Sequence, residues 1–149
     1  MAQHEIEASI LISAPPSCVR QVLIDFSAFP AWNPFIRSIS GSLREGARLS
    51  VQIMPPGRLS MRFRPTVLVT NPNEELRWRG SLLIPGLFSG EHSFLLRPEE
   101  ANSTQFVQGE KFSGLLVGPS ARRGMLDAIR QGFHAMNIAL KERAENQTA

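Results

Sequence analysis

The chain has 149 residues, 42% of them hydrophobic and 19% charged, which excludes an intrinsically disordered protein and predicts a single globular domain over residues 1–149. Its 16 basic and 13 acidic residues give a formal net charge of +3, too small an excess to predict a nucleic-acid partner. No apolar run approaches the roughly 20 residues of a membrane span, and the first residues lack the pattern of a secretory signal. We therefore expect a cytoplasmic protein that is a monomer or a homodimer.

Neither a metal nor a cofactor is expected. Cys18 is the one cysteine, and the three histidines, His4, His92 and His134, share no spacing typical of metal ligands. The sequence also lacks a Gly-x-Ser-x-Gly nucleophile motif and a phosphate-binding loop. Any chemistry must therefore come from side chains that the fold brings together.

The chain is predicted to begin with a strand and one or two short helices. Apolar and polar residues alternate over residues 5–13, the period of a half-buried strand. Pro15 and Pro16 then mark a helix start, because the missing N–H of proline costs nothing in a first turn. Pro30 and Pro34 limit a second helix to about one turn.

The middle of the chain is predicted to be a meander of strands. Alternating segments lie at residues 38–43, 49–53, 59–64 with 67–69, 75–80, 91–97 and 104–113, and they are separated by turns rich in proline, glycine and asparagine. Because strands joined by short turns pair antiparallel, this pattern predicts an antiparallel sheet with one apolar face.

A long amphipathic helix is predicted from Ser120 to about Asn146. Pro119 and Ser120 stand where a start and cap belong. Spacings of three and four place one apolar stripe along it, formed by Leu126, Ile129, Phe133, Met136 and Leu140. About 25 residues span ~37 Å, so this helix must lie across a large surface, and the apolar face of the sheet is the one available.

Four segments carry a family resemblance: residues 10–16 (ILISAPP) with Val19 and Val22, residues 29–35 (FPAWNPF), residues 90–94 (GEHSF) and residues 110–115 (EKFSGL). With the order of elements, they resemble the START/Bet v 1-like (SRPBCC) superfamily and its polyketide cyclase/dehydrase-type branch. The resemblance implies an α+β helix-grip fold, in which a curved seven-stranded antiparallel sheet wraps around the long C-terminal helix. It also implies an apolar cavity between sheet and helix.

The last hairpin predicts a polar pair on the inner face of the sheet. If it folds about the centre of its loop, paired residue numbers add up to ~202, so that His92 faces Glu110 and Phe94 faces Gln108. His92 and Glu110 are the candidate catalytic residues. Three roles stay open for them: a structural ion pair or hydrogen bond, an anchor for a polar ligand group, and proton transfer.

The candidate ligand-binding residues line the same face or the long helix. Trp78 is interpreted either as core or as a stacking wall for a flat ligand. We expect a cavity of a few hundred Å³ walled by Trp78, Phe94, Phe106 and Phe112 with part of the long helix. The full set is Trp78, His92, Phe94, Phe106, Gln108, Glu110, Phe112, Phe133 and Met136.

Two further features have open interpretations. The apolar segment 82–88 is a lid, a dimer contact or an extension of two strands. Arg62, Arg64, Arg77 and Arg79 are predicted on the outer sheet face, either as a phosphate-binding patch or as a solvated surface together with Glu75.

Three functions fit these features. The leading hypothesis is the binding of a small hydrophobic molecule, lipid, aromatic or polyketide-like, between sheet and helix. The alternative is a polyketide cyclase/dehydrase-type enzyme that uses the same cavity, with His92 or Glu110 moving a proton. The second alternative is a partner-binding or co-chaperone-like protein.

Overall fold

A computed structural model of the chain describes residues 3–82 and 86–148. In chain order, the elements are β1 (Gln3–Ile12), α1 (Pro16–Ile24), a 3₁₀ turn (Phe26–Ala28), α2 (Phe29–Trp32), β2 (Ile36–Ser40), β3 (Ser50–Ile53), β4 (Met61–Phe63), β5 (Thr66–Asn71), β6 (Glu75–Leu82), β7 (Phe88–Glu99), β8 (Ser103–Ser113), α3 (Val117–Arg122) and α4 (Met125–Thr148). The α+β class and the order of elements predicted from the sequence are confirmed.

The strands of the described residues form two antiparallel sheets, which corrects the expected single sheet of seven strands. Five strands follow the order β1-β8-β7-β6-β5, and three follow the order β2-β3-β4. The chain changes sheets at Pro65, between β4 and β5, because proline has no N–H to donate to a ladder. The sheets nevertheless meet there, since Leu49 N–H donates to the Pro65 carbonyl at 2.8 Å and Val67 N–H donates to the Ala47 carbonyl at 2.9 Å.

Helix α4 lies along the inner face of the large sheet and buries the predicted apolar stripe. Leu126, Ile129, Phe133, Met136 and Leu140 are all buried, as predicted. The start of the helix is corrected from Ser120 to Met125. Pro119 and Ser120 belong to the separate short helix α3, which ends before Gly124. Gly124 has a φ of +80°, a conformation that favours glycine and interrupts the helical path.

Gly132 lets α4 approach the loop before β2. A Cβ atom at this position would lie 2.3 Å from Cδ1 of Phe35, whose ring is fully buried and packs edge-on against Phe133. Helix and loop therefore close one end of the space between α4 and the sheet. None of the helices formed by the described residues has both the length and the apolarity that a bilayer crossing requires.

Candidate functional site

The β7–β8 hairpin has the predicted register. His92 pairs with Glu110, Phe94 with Gln108 and Leu96 with Phe106. The His92 and Glu110 side chains meet on the inner face, with Nδ1 of His92 3.4 Å from Oε1 of Glu110. The geometric prediction for this pair is confirmed.

A chain of buried hydrogen bonds connects this pair to α4 and β1. His92 Nε2 lies 2.9 Å from Gln108 Oε1. Gln108 Nε2 donates to Asn137 Oδ1 at 2.8 Å and to the Phe133 carbonyl at 3.5 Å. Asn137 Nδ2 in turn donates to the Ala8 carbonyl of β1 at 3.2 Å.

The two backbone carbonyls fix the direction of every hydrogen bond in this chain. A carbonyl oxygen only accepts, so Asn137 must present its NH₂ group to Ala8 and its oxygen to Gln108. Gln108 must then present its own oxygen to His92, whose Nε2 therefore carries a hydrogen. In a neutral imidazole, this leaves Nδ1 as the acceptor, and Nδ1 is the atom that faces Glu110.

Both members of the pair are uncharged at neutral pH. Removal from water raises the pKa of Glu110 from 4.5 to about 8, because a buried carboxylate loses its hydration. Burial also lowers the pKa of His92 from 6.5 to about 4, and the hydrogen bond to Gln108 offsets only part of this effect. Burial therefore favours a carboxylic acid facing a neutral imidazole over an ion pair.

Two facing glycines make room for the acid. Gly80 of β6 and Gly90 of β7 are paired in the sheet. A Cβ atom on Gly90 would lie 2.0 Å from Oε2 of Glu110, and one on Gly80 would lie 2.9 Å from the Phe63 ring. The missing side chains leave a recess in the sheet, which the carboxyl group and an aromatic ring occupy.

The cavity beside the pair is small, which corrects the expected void of a few hundred Å³. It measures about 30 Å³, and its lining includes His92, Glu110 and Phe112. The space that was expected to be empty is lined and narrowed by three aromatic rings, those of Phe35, Phe63 and Phe88. Side chains from β4, from the start of β7 and from the loop before β2 thus fill most of the interior, and alternation along single strands could not predict how much space they leave.

A larger apolar depression lies directly outside. It measures about 380 Å³ and is lined by residues of β4, β7, α3 and α4, including Met61, Leu116 and Met125. Phe88 and Ile129 line both this depression and the inner cavity. These two side chains therefore separate the outer depression from the His92–Glu110 pair.

The remaining predicted ligand-binding residues surround the pair as packed core. The rings of Phe94 and Phe133 lie 4.5 and 4.9 Å from the imidazole of His92. Trp78 packs on both His92 and Phe94, at 5.5 and 5.2 Å, and its Nε1 is buried with no hydrogen-bond partner among the described residues. Phe106, Phe112 and Met136 are also buried.

Sequence reasoning missed Asn137 and Gly90. Asn137 had a visible signal, because a polar residue four positions after Phe133 interrupts the apolar face of the helix. Gly90 had a weaker one, since a glycine inside a strand often marks a close approach. Residues 83–85 of the proposed lid segment lie outside the described residues, and its described ends, Leu82 and Phe88, extend β6 and β7 as a pair.

Comparison with known proteins agrees with this architecture. The model of the family described as polyketide cyclase/dehydrase and lipid transport matches residues 3–145. The fold is similar to that of the Zhui aromatase/cyclase from Streptomyces sp. R1128, with 18% identity, a TM-score of 0.78, and coverage of 99% of this chain and 97% of that chain. It is also similar to a START superfamily protein from Mycobacterium smegmatis, with 20% identity, a TM-score of 0.74, and coverage of 97% and 99%.

A search of curated proteins finds no match to the chain. The structural likenesses show a shared fold, and the family match covers nearly the whole chain. The chain belongs to the polyketide cyclase/dehydrase and lipid transport family. Membership supports a role in binding a hydrophobic ligand or in polyketide cyclisation.

Proposed function

We propose that this member of the family binds a small hydrophobic molecule between α4 and the sheet, with one polar group of the ligand against the His92–Glu110 pair. The observation that carries the proposal is the neutral pair itself. A carboxylic acid and an imidazole meet in an apolar, buried recess beside a small cavity. Rotation of two side chains, Phe88 and Ile129, would enlarge this cavity. Few polar groups within apolar walls are typical of ligand sites.

The outer depression supplies the size that the inner cavity lacks. Its volume of about 380 Å³ falls within the usual range of small-ligand sites, ~300–1,000 Å³. Rotation of Phe88 and Ile129 would join it to the inner cavity. A ligand would then bury its apolar body in the depression and direct its polar end at Glu110.

The pair selects the polar end by its protonation state. Protonated Glu110 donates a hydrogen bond, so it favours a ligand carbonyl or ether oxygen. An anionic end would lie in an apolar recess without a cation, since the pair itself is neutral. We therefore favour an aromatic or polyketide-like ketone over a fatty-acid carboxylate.

One observation favours the enzymatic alternative. The acid has a pKa of about 8, and Nδ1 of His92 faces it as an acceptor held in one tautomer. An acid that titrates near the working pH is suited to general acid–base catalysis. In a polyketide cyclase/dehydrase-type reaction, Glu110 would protonate a carbonyl oxygen while Nδ1 of His92 accepts the proton that leaves the adjacent carbon, which gives the enol.

The test combines mass spectrometry with a blocking variant. Native mass spectrometry of the purified protein should reveal a bound small molecule, and calorimetry with the aromatic ketone 1-tetralone and with dodecanoic acid should show binding of the ketone. Ile129→Trp should abolish that binding because it fills the passage, whereas Ile138→Trp on the exposed side of α4, at 53% exposure, should not. The proposal would be contradicted if neither probe binds and mass spectrometry finds no bound molecule.

Glu110→Gln separates the two functions. Glutamine keeps the shape and a hydrogen-bond donor, so a carrier should retain 1-tetralone binding within a few fold. A cyclase should retain binding but lose turnover of a poly-β-ketone substrate. Three other predictions are separate from this test: the partner-binding alternative, the monomeric or dimeric state, and the cytoplasmic location. Analytical ultracentrifugation measures association with a second copy or a partner, and cell fractionation measures the location.

A further inference from the structure

The outer face of the large sheet has a groove of about 650 Å³, on the opposite side of the strands from the His92–Glu110 pair. Three arginines line it, Arg48, Arg64 and Arg79, together with four side chains that carry hydroxyl groups. None of the described residues that line it is acidic. Its composition therefore differs from that of the apolar site on the inner face.

Strand register places two of these arginines on either side of one hydroxyl group. Arg48 forms an isolated antiparallel bridge with Thr66, and Thr66 pairs with Arg79 of β6. Neighbouring strands lie ~4.8 Å apart, so the backbones of Arg48 and Arg79 are about 10 Å apart with Thr66 between them. All three side chains stand on the same face, because directly paired residues do so.

The charge of these guanidinium groups is not compensated. The Arg48 guanidinium donates to the Arg64 carbonyl at 3.0 and 3.3 Å, a contact that holds its position but leaves its charge. Arg64 and Arg79 form no ion pair in the described part of the chain. Residues 46–73 contain neither aspartate nor glutamate.

Arg77, on the same strand as Arg79, shows the contrast. It pairs with Glu75 at 2.5 Å and with Glu91 at 3.3 Å, as the solvated-surface interpretation predicted. Glu91 lies opposite Arg79 in register, but its carboxylate contacts Arg77. Arg77 is thus neutralised, whereas Arg48, Arg64 and Arg79 line the groove. Arg62 lies outside the groove and donates to Gln52 at 3.2 Å.

Hydroxyl groups continue the groove beyond the arginines. Ser81 and Ser89 are paired across β6 and β7, and their Oγ atoms lie 3.0 Å apart. Guanidinium groups bind phosphate oxygens in a bidentate manner, and hydroxyl groups donate further hydrogen bonds to them. Cations on two sides of a threonine, with serines alongside, therefore match a ligand with one or two phosphate groups.

We propose that this groove is a second binding site, independent of the inner cavity, for a small molecule that carries a phosphate or pyrophosphate group. The phosphate lies over Thr66 between Arg48 and Arg79, and the remainder of the molecule extends along the serines. The volume of about 650 Å³ accommodates a small phosphorylated metabolite or the headgroup of a phospholipid.

Calorimetric titration with inorganic pyrophosphate at low ionic strength tests the proposal. The wild-type chain should bind it, and Arg79→Gln and Arg48→Gln should each weaken binding by about tenfold or more, since each removes one charge-assisted hydrogen-bonding group. Arg97→Gln is the matched control, the same change at an exposed arginine of β7 on this face but outside the groove, and it should alter the affinity less than threefold. Unchanged melting temperatures would show that the variants are folded.

Two further measurements identify the source of the phosphate. Sedimentation with phosphatidic acid vesicles that depends on Arg79, and that pyrophosphate prevents, would support the site with a lipid headgroup as its ligand. If pyrophosphate binds but the vesicles do not, the result supports a site whose ligand is a soluble phosphorylated molecule. The proposal is overturned if pyrophosphate does not bind, if Arg97→Gln weakens binding as much as Arg79→Gln, or if a single-stranded oligonucleotide binds far more tightly than pyrophosphate.

Discussion

Replacing Glu110 by Gln should abolish a loss of stability that the wild-type protein shows above neutral pH. Between pH 4.5 and about 8, folded Glu110 holds a proton that the unfolded chain has released, so the free energy of unfolding falls as pH rises. His92 acts in the opposite direction between about 4 and 6.5, because there the unfolded chain holds the proton. The two effects offset each other up to pH 6.5, and only that of Glu110 continues to about pH 8.

The magnitude follows from that last interval. The interval from pH 6.5 to about 8 is about 1.5 pH units, which corresponds to a loss of at most ~2 kcal/mol in the free energy of unfolding. Because Glu110 is half ionised at the upper end and unfolded His92 is half protonated at the lower end, we expect a net loss of about 1 kcal/mol.

Urea unfolding at pH 6.5 and 8.0, followed by tryptophan fluorescence, measures this difference. Glu110→Gln should show almost no change between the two pH values, because it has no proton to release and keeps the shape of the side chain. The control Glu7→Gln, at an exposed carboxylate on β1, should retain the wild-type loss. A decline of equal size in Glu110→Gln, or a wild-type stability that rises with pH, would refute the neutral pair.

Three other changes test the surroundings of the pair. Phe133→Ala should lower the free energy of unfolding by ~3–5 kcal/mol in chemical denaturation, because the ring is fully buried against Phe35 and His92; a loss under ~1 kcal/mol would indicate open space there. Gly132→Ala should destabilise the protein by ~1–3 kcal/mol despite the better helix propensity of alanine, since its Cβ would collide with Phe35; a higher melting temperature would contradict this. Nitrogen-15 NMR of His92 should show a proton on Nε2 and none on Nδ1 at pH 7, and the opposite tautomer in the wild type would refute the direction assigned to the hydrogen bonds. Asn137→Leu should broaden or shift these signals, because it removes the acceptor at 2.8 Å that fixes the orientation of the Gln108 amide.

The sequence was sufficient to predict pairing that depends on periodicity and loop length. His92 and Glu110 could be placed opposite each other because strand parity and the centre of a short hairpin loop fix the register. The buried stripe of α4 followed from helical spacing in the same way. Both are local properties of single elements or of neighbouring ones.

Features that depend on distant contacts were not predictable in this way. The two sheets separate at Pro65 but stay joined there through the hydrogen bond from Leu49, and the small cavity arises from rings such as Phe35 and Phe63 that enter from another sheet or loop. The pKa of Glu110 also depends on how completely these groups exclude water. Sequence position indicated which side chains face the interior, but not how much space their neighbours leave.

The closed interior and the neutral pair have one physical origin, and this connects ligand binding to protons. The packing that reduces the cavity to about 30 Å³ also removes the water that would stabilise a charged Glu110. A ligand oxygen that accepts a hydrogen bond from the acid stabilises its protonated form further, so the pKa of Glu110 should rise when that ligand binds. By linkage, the affinity for such a ligand must then fall as pH rises through about 8, whereas a ligand held only by apolar contacts would lose no affinity over that range. The pH dependence of binding therefore distinguishes a ligand that contacts the pair from one that occupies the outer depression alone.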